Sequence, residues 1–322
     1  MIEKLERETL SPCAAFSDSV RGRELPDPSC EIRTEYQRDR DRILHCKSFR
    51  RLMNKTQVFL APEGDHYRTR LTHTLEVCQI ARTIARGLRL NEDLAEAIAL
   101  GHDLGHTPFG HAVEDVLSKV CPHGFAHSEQ SVRVVDVIEE LNLTEEVRDG
   151  IRNHSSGKNA FTLEGQVVRF ADKIAYMNHD IEDAIRAGVI EAGDIPFDVQ
   201  IEIGRTKSQR ITTFVISLIS HSGDTVKMDA RHQELFDELR AFMFSNVYIG
   251  TSAKKEEKKA KIVVKRLYEY YTENPDKLSP EYLAIMEKTD VHRAVCDYIS
   301  GMSDRFCIAM YQNLFVPKGF SL

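Results

Sequence analysis

Apolar positions in this chain recur at intervals of three and four residues, and strict alternation is rare. Residues 1–30 are irregular, with Pro12, Pro26 and Pro28, and read as an N-terminal arm with a short helix at its start. Residues 31–53 set Ile32, Tyr36, Ile43, Leu44 and Leu52 on one face and crowd Arg and Asp on the other, which predicts a helix. Lys55-Thr56-Gln57-Val58-Phe59-Leu60 reads as a short extended piece, closed by a turn at Pro62 and Gly64. The next helix turns Leu75, Val77, Ile80, Ala81, Ile84 and Leu88 inward. Asn91 is a good N-cap for the one after it, which carries Leu94, Ala97, Ile98 and Leu100 and ends at His102-Asp103. Helices are also predicted over 109–120, 128–141 and 144–154, and Thr162 can cap a long one reaching residue 188. A loop or short hairpin suits 190–205, and helices follow over 208–221, 232–247, 255–271, 280–287 and 291–313.

The sum is an all-α fold, a helical bundle with a C-terminal helical extension. No internal repeat or interdomain linker is visible. The expected organisation is the arm at 1–30, a core at 31–189, and a C-terminal helical region at 190–322 packed on that core as one structural unit.

Composition narrows the class. Hydrophobic residues at 42% and charged residues at 29% are an ordinary globular balance. The net charge of −7 removes any chain-wide basic footprint for nucleic acid. The one local basic concentration, Lys254 to Arg266, is interleaved with Glu256 and Glu257 and reads as a solvated helix face over an apolar run at Ile262, Val263 and Val264. Seven scattered cysteines with no Cys-x-x-Cys pair suit a reducing compartment and argue against a thiolate zinc site. No apolar leader and no membrane-length run is present, so a cytoplasmic protein without membrane attachment is expected.

Candidate chemistry concentrates in Gly101-His102-Asp103-Leu104-Gly105-His106-Thr107-Pro108-Phe109-Gly110-His111, with three histidines and a carboxylate. His73 lies near the start of the preceding helix. On the long helix Asp172, Tyr176, Asp180 and Asp183 recur at +4, +4 and +3, which puts them on one face. Such a carboxylate face is either solvated or neutralised by cations. His73, His102, Asp103 and Asp172 would make a nitrogen and oxygen donor set with no thiolate. That set suits Mn²⁺, Mg²⁺, Fe²⁺, Co²⁺ or Ni²⁺ and leaves coordination positions for water and substrate.

The ordered set formed by His73, His102-Asp103 and Asp172, with the stretch from Gln57 to Glu114, His127-Ser128-Glu129-Gln130 and Val168 to Ile181, resembles the deoxyguanosinetriphosphate triphosphohydrolase family of HD-domain phosphohydrolases, and within it the shorter bacterial branch. Asp297-Tyr298-Ile299-Ser300-Gly301-Met302-Ser303-Asp304-Arg305 also looks like that branch. The resemblance covers residues 33–315 and makes 31–189 an HD-domain catalytic core. It implies hydrolysis of dGTP and other dNTPs to deoxynucleoside and inorganic triphosphate, by metal-activated water attacking the α-phosphorus. One divalent metal would be held by His73, His102, Asp103 and Asp172. His111 and Glu114 would handle the proton, as acid or base. Gln57, Arg70, His106, His127, Lys173, Tyr176 and Asp180 would contact substrate, with Arg70 on phosphate and Gln57, Tyr176 and Asp180 around the sugar. A homo-oligomer and a nucleotide activator are further implied partners. Two departures stand out: Val113 where the family reads Gly, and Ser128 where it reads Asn. The competing readings are another HD phosphohydrolase, such as a 5′-nucleotidase or nucleotide phosphodiesterase, and a nucleotide- or single-strand-binding protein with a regulatory HD site.

Overall fold

The computed structural model describes residues 2–57, 68–248 and 254–318. Among them the α-helices run, in chain order, α1 Ile2–Thr9, α2 Glu35–His45, α3 Lys47–Arg51, α4 Arg70–Leu88, α5 Glu92–Gly101, α6 His111–Val120, α7 His127–Arg133, α8 Glu145–Asn153, α9 Leu163–Arg186, α10 Lys207–His221, α11 Ala230–Met243, α12 Lys254–Glu273, α13 Pro280–Lys288, α14 Val291–Ser300 and α15 Asp304–Phe315. The fold is all-α. Extended pairing among the described residues is one isolated antiparallel bridge, Thr56 with Thr69. No helix there is long and apolar enough to cross a membrane.

The chain divides into two compact units, each drawn from three stretches. The first comprises 1–44, 73–102 and 142–252. Its centre is α5 against α8 and α9, with α10 and α11 also packed on α9. Helix α5 is buried at every position from Leu94 to Gly101 except Glu96, the mark of a helix inside a core rather than on its rim. Asn91 starts it by accepting the N–H groups of Asp93 and Leu94 through its side chain. Close approach to α8 depends on glycine: a Cβ on Gly150 would stand 2.4 Å from Ile98, and one on Gly101 2.5 Å from Ile151. Leu94, Ile98, Val147, Ile151, Val167, Val168 and Ile174 are fully buried here. Each contributes about 1.5–3 kcal/mol relative to exposure. That packing fixes where α5 ends, and hence where His102 sits.

The second unit comprises 45–72, 103–141 and 253–322. Helix α12 packs against α6, α14 and α15, and α13 packs on α14. Val113, Leu117, Val264, Leu267, Tyr271, Val295, Ile299 and Cys307 belong to its core.

Several expectations need correction. The helix over 31–53 begins only at Glu35 and breaks at Cys46, whose Sγ caps α3 by accepting from Phe49 N. Ile32 therefore precedes the helix and is 78% exposed. Leu75 is 52% exposed, because the core face of α4 runs through His73, Val77, Ile80 and Ile84, and Leu75 falls on the opposite side. Ile262 faces solvent, while Val264 is fully buried. The helix over 128–141 ends as α7 followed by a wider turn, Val134–Ile138. Residues 190–205 form two short helical turns, Ala192–Asp194 and Val199–Ile203. The single helix over 291–313 is two, because Ser303 starts α15 afresh by accepting from Phe306 N. Val58, Phe59, Leu60, Pro62 and Gly64 lie outside the described residues.

Candidate active site

In the first unit, α4, α5 and α9 bring three of the expected metal ligands together. His73 Nε2 lies 3.2 Å from Asp172 Oδ1, and His102 Nε2 lies 3.8 Å from the same oxygen. The His73 and His102 ring centres are 5.4 Å apart. His102 is the C-cap of α5, where its Nδ1 donates to the Ala99 carbonyl at 2.7 Å. A carbonyl only accepts, so Nδ1 holds the proton and Nε2 presents a lone pair toward Asp172. His73 Nδ1 meets His179 Nε2 at 2.9 Å, while its Nε2 faces Asp172 as the hydrogen-bond donor to that carboxylate; a metal bound there would take the place of the Nε2 proton. Burial alone would push the Asp172 carboxyl up. The hydrogen bond from His73 and the nearby His102, His73 and His154 outweigh it and hold the carboxyl well below its ordinary range. Donor atoms around one ion at bond lengths of about 2.0–2.2 Å are themselves ~3–3.5 Å apart. The donor set and its spacing therefore fit a divalent metal, and the remaining expected ligand, Asp103, follows His102 directly in the chain.

Two histidines that the sequence reading passed over support these ligands. His179 is fully buried, orients His73, and has its Nδ1 2.6 Å from Asp180 Oδ1. His154, the C-cap of α8, repeats the arrangement of His102 by bonding its own Ile151 carbonyl at 2.7 Å, and the two rings meet at 5.0 Å. His179 was findable, since it lies seven residues after Asp172, two turns along the same face. That face is not solvated: Asp180 and Asp183 are buried. Asp180 accepts a hydrogen bond from Tyr248 Oη at 2.5 Å, a partner that no spacing rule connects to it. Tyr176 and Lys173 are half-buried on the same helix. Burial raises the Tyr176 phenol, and burial with Arg169 and Arg240 lowers the Lys173 ammonium.

In the second unit, α6 and α7 assemble the other expected group. Glu114 bridges two histidines. Its Oε2 accepts from His111 Nδ1 at 2.9 Å, and its Oε1 accepts from His127 Nδ1 at 2.9 Å and from His127 N at 2.8 Å. Burial opposes ionisation of Glu114, but the hydrogen bonds of His111 and His127 prevail and hold it well below the ordinary carboxylate value. For His127, burial lowers the imidazole and Glu114 raises it, with a net rise. His106 lies stacked on His127 at 4.8 Å and edge-on to His111 at 4.8 Å. Burial, then Arg70 and His127, drive its imidazole well below the usual value, so His106 is neutral. The donor atoms of His106, His111, Glu114 and His127 are close enough to hold an ion themselves. The hydrogen bonds from both imidazoles to Glu114 account for the cluster without one.

Arg70 departs from the expected plain phosphate ligand. It is buried, and Nη1 pairs with Asp103 Oδ2 at 2.6 Å. Its Nε and Nη2 have no hydrogen-bond partner among the described residues, and the same is true of Gln57 Oε1 and both His106 ring nitrogens. Buried guanidinium donors left unpaired cost free energy, which an oxygen-rich anion would recover. Gly110, with φ +68°, lies close: its Cβ would be 3.5 Å from Arg70 Nη2. Val113 is fully buried in the unit core, so the departure from Gly adds core packing on the face of α6 away from His111. Ser128 is buried too.

Comparison with known proteins agrees with this geometry. Residues 70–177 match the HD domain model, and residues 226–313 match the phosphohydrolase-associated domain model. A deoxyguanosinetriphosphate triphosphohydrolase-like protein of Caldanaerobacter subterraneus subsp. tengcongensis is 56% identical, over 98% of this chain and 95% of that protein. One from Clostridium tetani is 47% identical, over 98% and 96%. The crystal structure of a phosphohydrolase from Bacteroides thetaiotaomicron shares the fold, with a TM-score of 0.53 at 17% identity over 95% of this chain and 72% of that one. With the HD ligand pattern and near full-length similarity in hand, the chain belongs to the deoxyguanosinetriphosphate triphosphohydrolase-like family of HD phosphohydrolases.

Proposed function

We propose that this phosphohydrolase acts on deoxynucleoside triphosphates, dGTP among them, and releases deoxynucleoside and inorganic triphosphate. The observation that carries the reading is Arg70, a buried guanidinium with Nε and Nη2 unpartnered among the described residues. That fork can bind phosphate oxygens bidentately, and the choice of a deoxynucleoside triphosphate rests beyond it on the likeness to the triphosphohydrolase-like relatives.

His73, His102, Asp103 and Asp172 would hold the divalent metal, which when bound supplies Lewis-acid polarisation of a phosphoryl oxygen and acidifies water. The other residues handle position and protons. Glu114 keeps Nδ1 of His111 protonated, so the proton that moves is the one at Nε2. His127, raised by the same carboxylate, adds positive charge beside it. Neutral His106 can donate from one ring nitrogen and accept at the other. Gln57 offers its amide to the sugar hydroxyl. Asp180, already oriented by Tyr248, offers a carboxylate to the same class of group, with Tyr176 one turn before it and Lys173 supplying charge. A homo-oligomer with a nucleotide activator remains part of the proposal, on family grounds.

The test is a dNTP panel with Mn²⁺, Mg²⁺, Fe²⁺, Co²⁺ and Ni²⁺, followed by product identification. Inorganic triphosphate from a dNTP supports the reading. Monophosphate or pyrophosphate as the product sinks it and points to another HD phosphohydrolase.

A further inference from the structure

The segment from Asp297 to Arg305 matches the family pattern, yet none of its residues enters the chemistry above. It spans the break between α14 and α15, and within the second unit both ends of the break grip the same two pieces of chain. At the α14 end, the Ser300 carbonyl accepts from Lys55 Nζ at 2.7 Å, and that ammonium also donates to the His106 carbonyl at 2.6 Å. At the α15 end, Asp304 Oδ2 accepts from Thr56 N at 3.1 Å and from the Thr56 hydroxyl, while Oδ1 accepts from Phe109 N at 2.9 Å. Thr56 precedes Gln57, and Phe109 stands two residues before His111. Lys55, Ser300 and Asp304 are all buried.

We propose that Asp304 is a positioning residue that holds the Gln57 segment and the turn leading to His111 in one register through a single carboxylate. Each oxygen serves one of the two segments, so neither can shift without straining the other's hydrogen bonds. Phe109 adopts φ +62°, a left-handed conformation rare for a side chain of its size, and the bond from its N–H to Asp304 is what holds it there. A helix continuous through 291–313 would supply neither contact. The Ser300 carbonyl would be spent inside the helix, and Asp304 would not stand at a helix start with its carboxylate free to reach outward. The inference rests on the proposed roles of Gln57 and His111.

Four single variants, one double variant and one exchange measurement test it. Asp304→Ala should lower kcat/KM by about 10²-fold, the scale of a ~1 Å misplacement of catalytic groups. Thr56→Val, which removes only the hydroxyl bond, should raise KM about tenfold, the worth of one hydrogen bond, with kcat nearly kept. Adding Thr56→Val to Asp304→Ala should change nothing further, because both act through one contact. Asp304→Asn, which can still accept from Phe109 N, should fall between wild type and Asp304→Ala. Ser303→Ala weakens the start of α15 but leaves the clamp, and should keep both constants near wild type. In parallel, hydrogen exchange should show the amides of Thr56 and Phe109 opening faster in Asp304→Ala and unchanged in Ser303→Ala. Equal losses from Ser303→Ala and Asp304→Ala would reduce Asp304 to helix stability, and unchanged exchange at both amides would overturn the clamp outright. If the wild type releases no triphosphate, the functional reading fails, while the exchange result still decides the clamp.

Discussion

Replacing Glu114 by glutamine separates orientation of His111 from the stability of the protein. The carboxylate accepts from His127 N and Nδ1 on Oε1, with Nδ1 also 3.1 Å from Oε2, and from His111 Nδ1 on Oε2. A glutamine can keep its carbonyl toward the half-buried His127 pair, and it then presents –NH₂ where Oε2 stood. His111 Nδ1 can no longer donate there. It must become the acceptor, and its proton is pinned at Nε2, the atom that must exchange it. Acid–base help of this kind is worth about 10²–10⁴-fold, so kcat should fall within that range. Stability should fall only modestly. The His111 side chain is 74% exposed, and its pair contributes about 0–1 kcal/mol. Half-buried His127 keeps its hydrogen bonds to the amide carbonyl but loses their charge assistance, about 1 kcal/mol more. That corresponds to a Tm shift of a few degrees, at roughly 2–4 °C per kcal/mol for a domain-sized unit. The assay is triphosphate release under saturating dNTP with Mn²⁺, alongside a thermal melt. A Glu114→Gln enzyme within tenfold of wild-type kcat would refute the role given to His111. So would a proportionate collapse of Tm, since the loss would then be one of folding.

Further expectations follow from other contacts. Asp103→Ala should abolish metal retention and turnover, and full activity in that variant would remove Asp103 from the metal site. It should also lower Tm, because stripping one partner from a buried ion pair costs about 3–5 kcal/mol, and Arg70→Met added to Asp103→Ala should restore part of that loss. Arg70→Lys should raise KM for dNTPs by about tenfold or more, since an ammonium cannot replace the guanidinium fork; an unchanged KM would remove Arg70 from the phosphate path. Glu164 is buried at the start of α9, and burial raises its carboxyl to about 7. The folded state thus binds that proton more tightly than the unfolded state does. Its contribution is full below the ordinary carboxyl value and is lost as pH rises through about 7, by roughly 3 kcal/mol in all. Glu164→Gln should accordingly raise Tm at pH 8 relative to wild type and make little difference at pH 5, and equal shifts at both pH values would contradict this.

The helical class was legible in the chain because it depends on short-range order, and the ordered pattern of His73, His102-Asp103 and Asp172 marked the candidate ligands. Asn91 before an apolar run announces a cap, and the 3.6-residue period carries Asp172, Tyr176 and Asp180 to one side. What stayed hidden depends on contacts far apart in sequence. Tyr248 reaches Asp180 across 68 positions, and Asp304 reaches Phe109 across 195. The division of Val291–Ser300 from Asp304–Phe315 was masked because the apolar pattern runs through Gly301 and Met302, and only the cap at Ser303 marks it. Arg70 was read from its position as a phosphate ligand, and its pairing with Asp103 appears only when the turn is folded.

Gly105 makes the HD turn a poor place to tinker. A Cβ there would lie 2.2 Å from Ser131 N and 2.3 Å from the Gln130 carbonyl carbon, both backbone atoms that cannot swing aside. The Gly105 N–H also donates to Ser131 Oγ at 2.9 Å, so the turn lies against the α7 main chain and is tied to it by that hydroxyl. A mutational library aimed at new substrates would therefore gain by diversifying the proposed substrate contacts Gln57, Lys173 and Tyr176 while freezing residue 105, because even alanine at that position would push Gln130 and Ser131 of α7 away from the turn that carries His106. Retuning of this scaffold has to come from its walls, since the turn beneath its histidines has no slack.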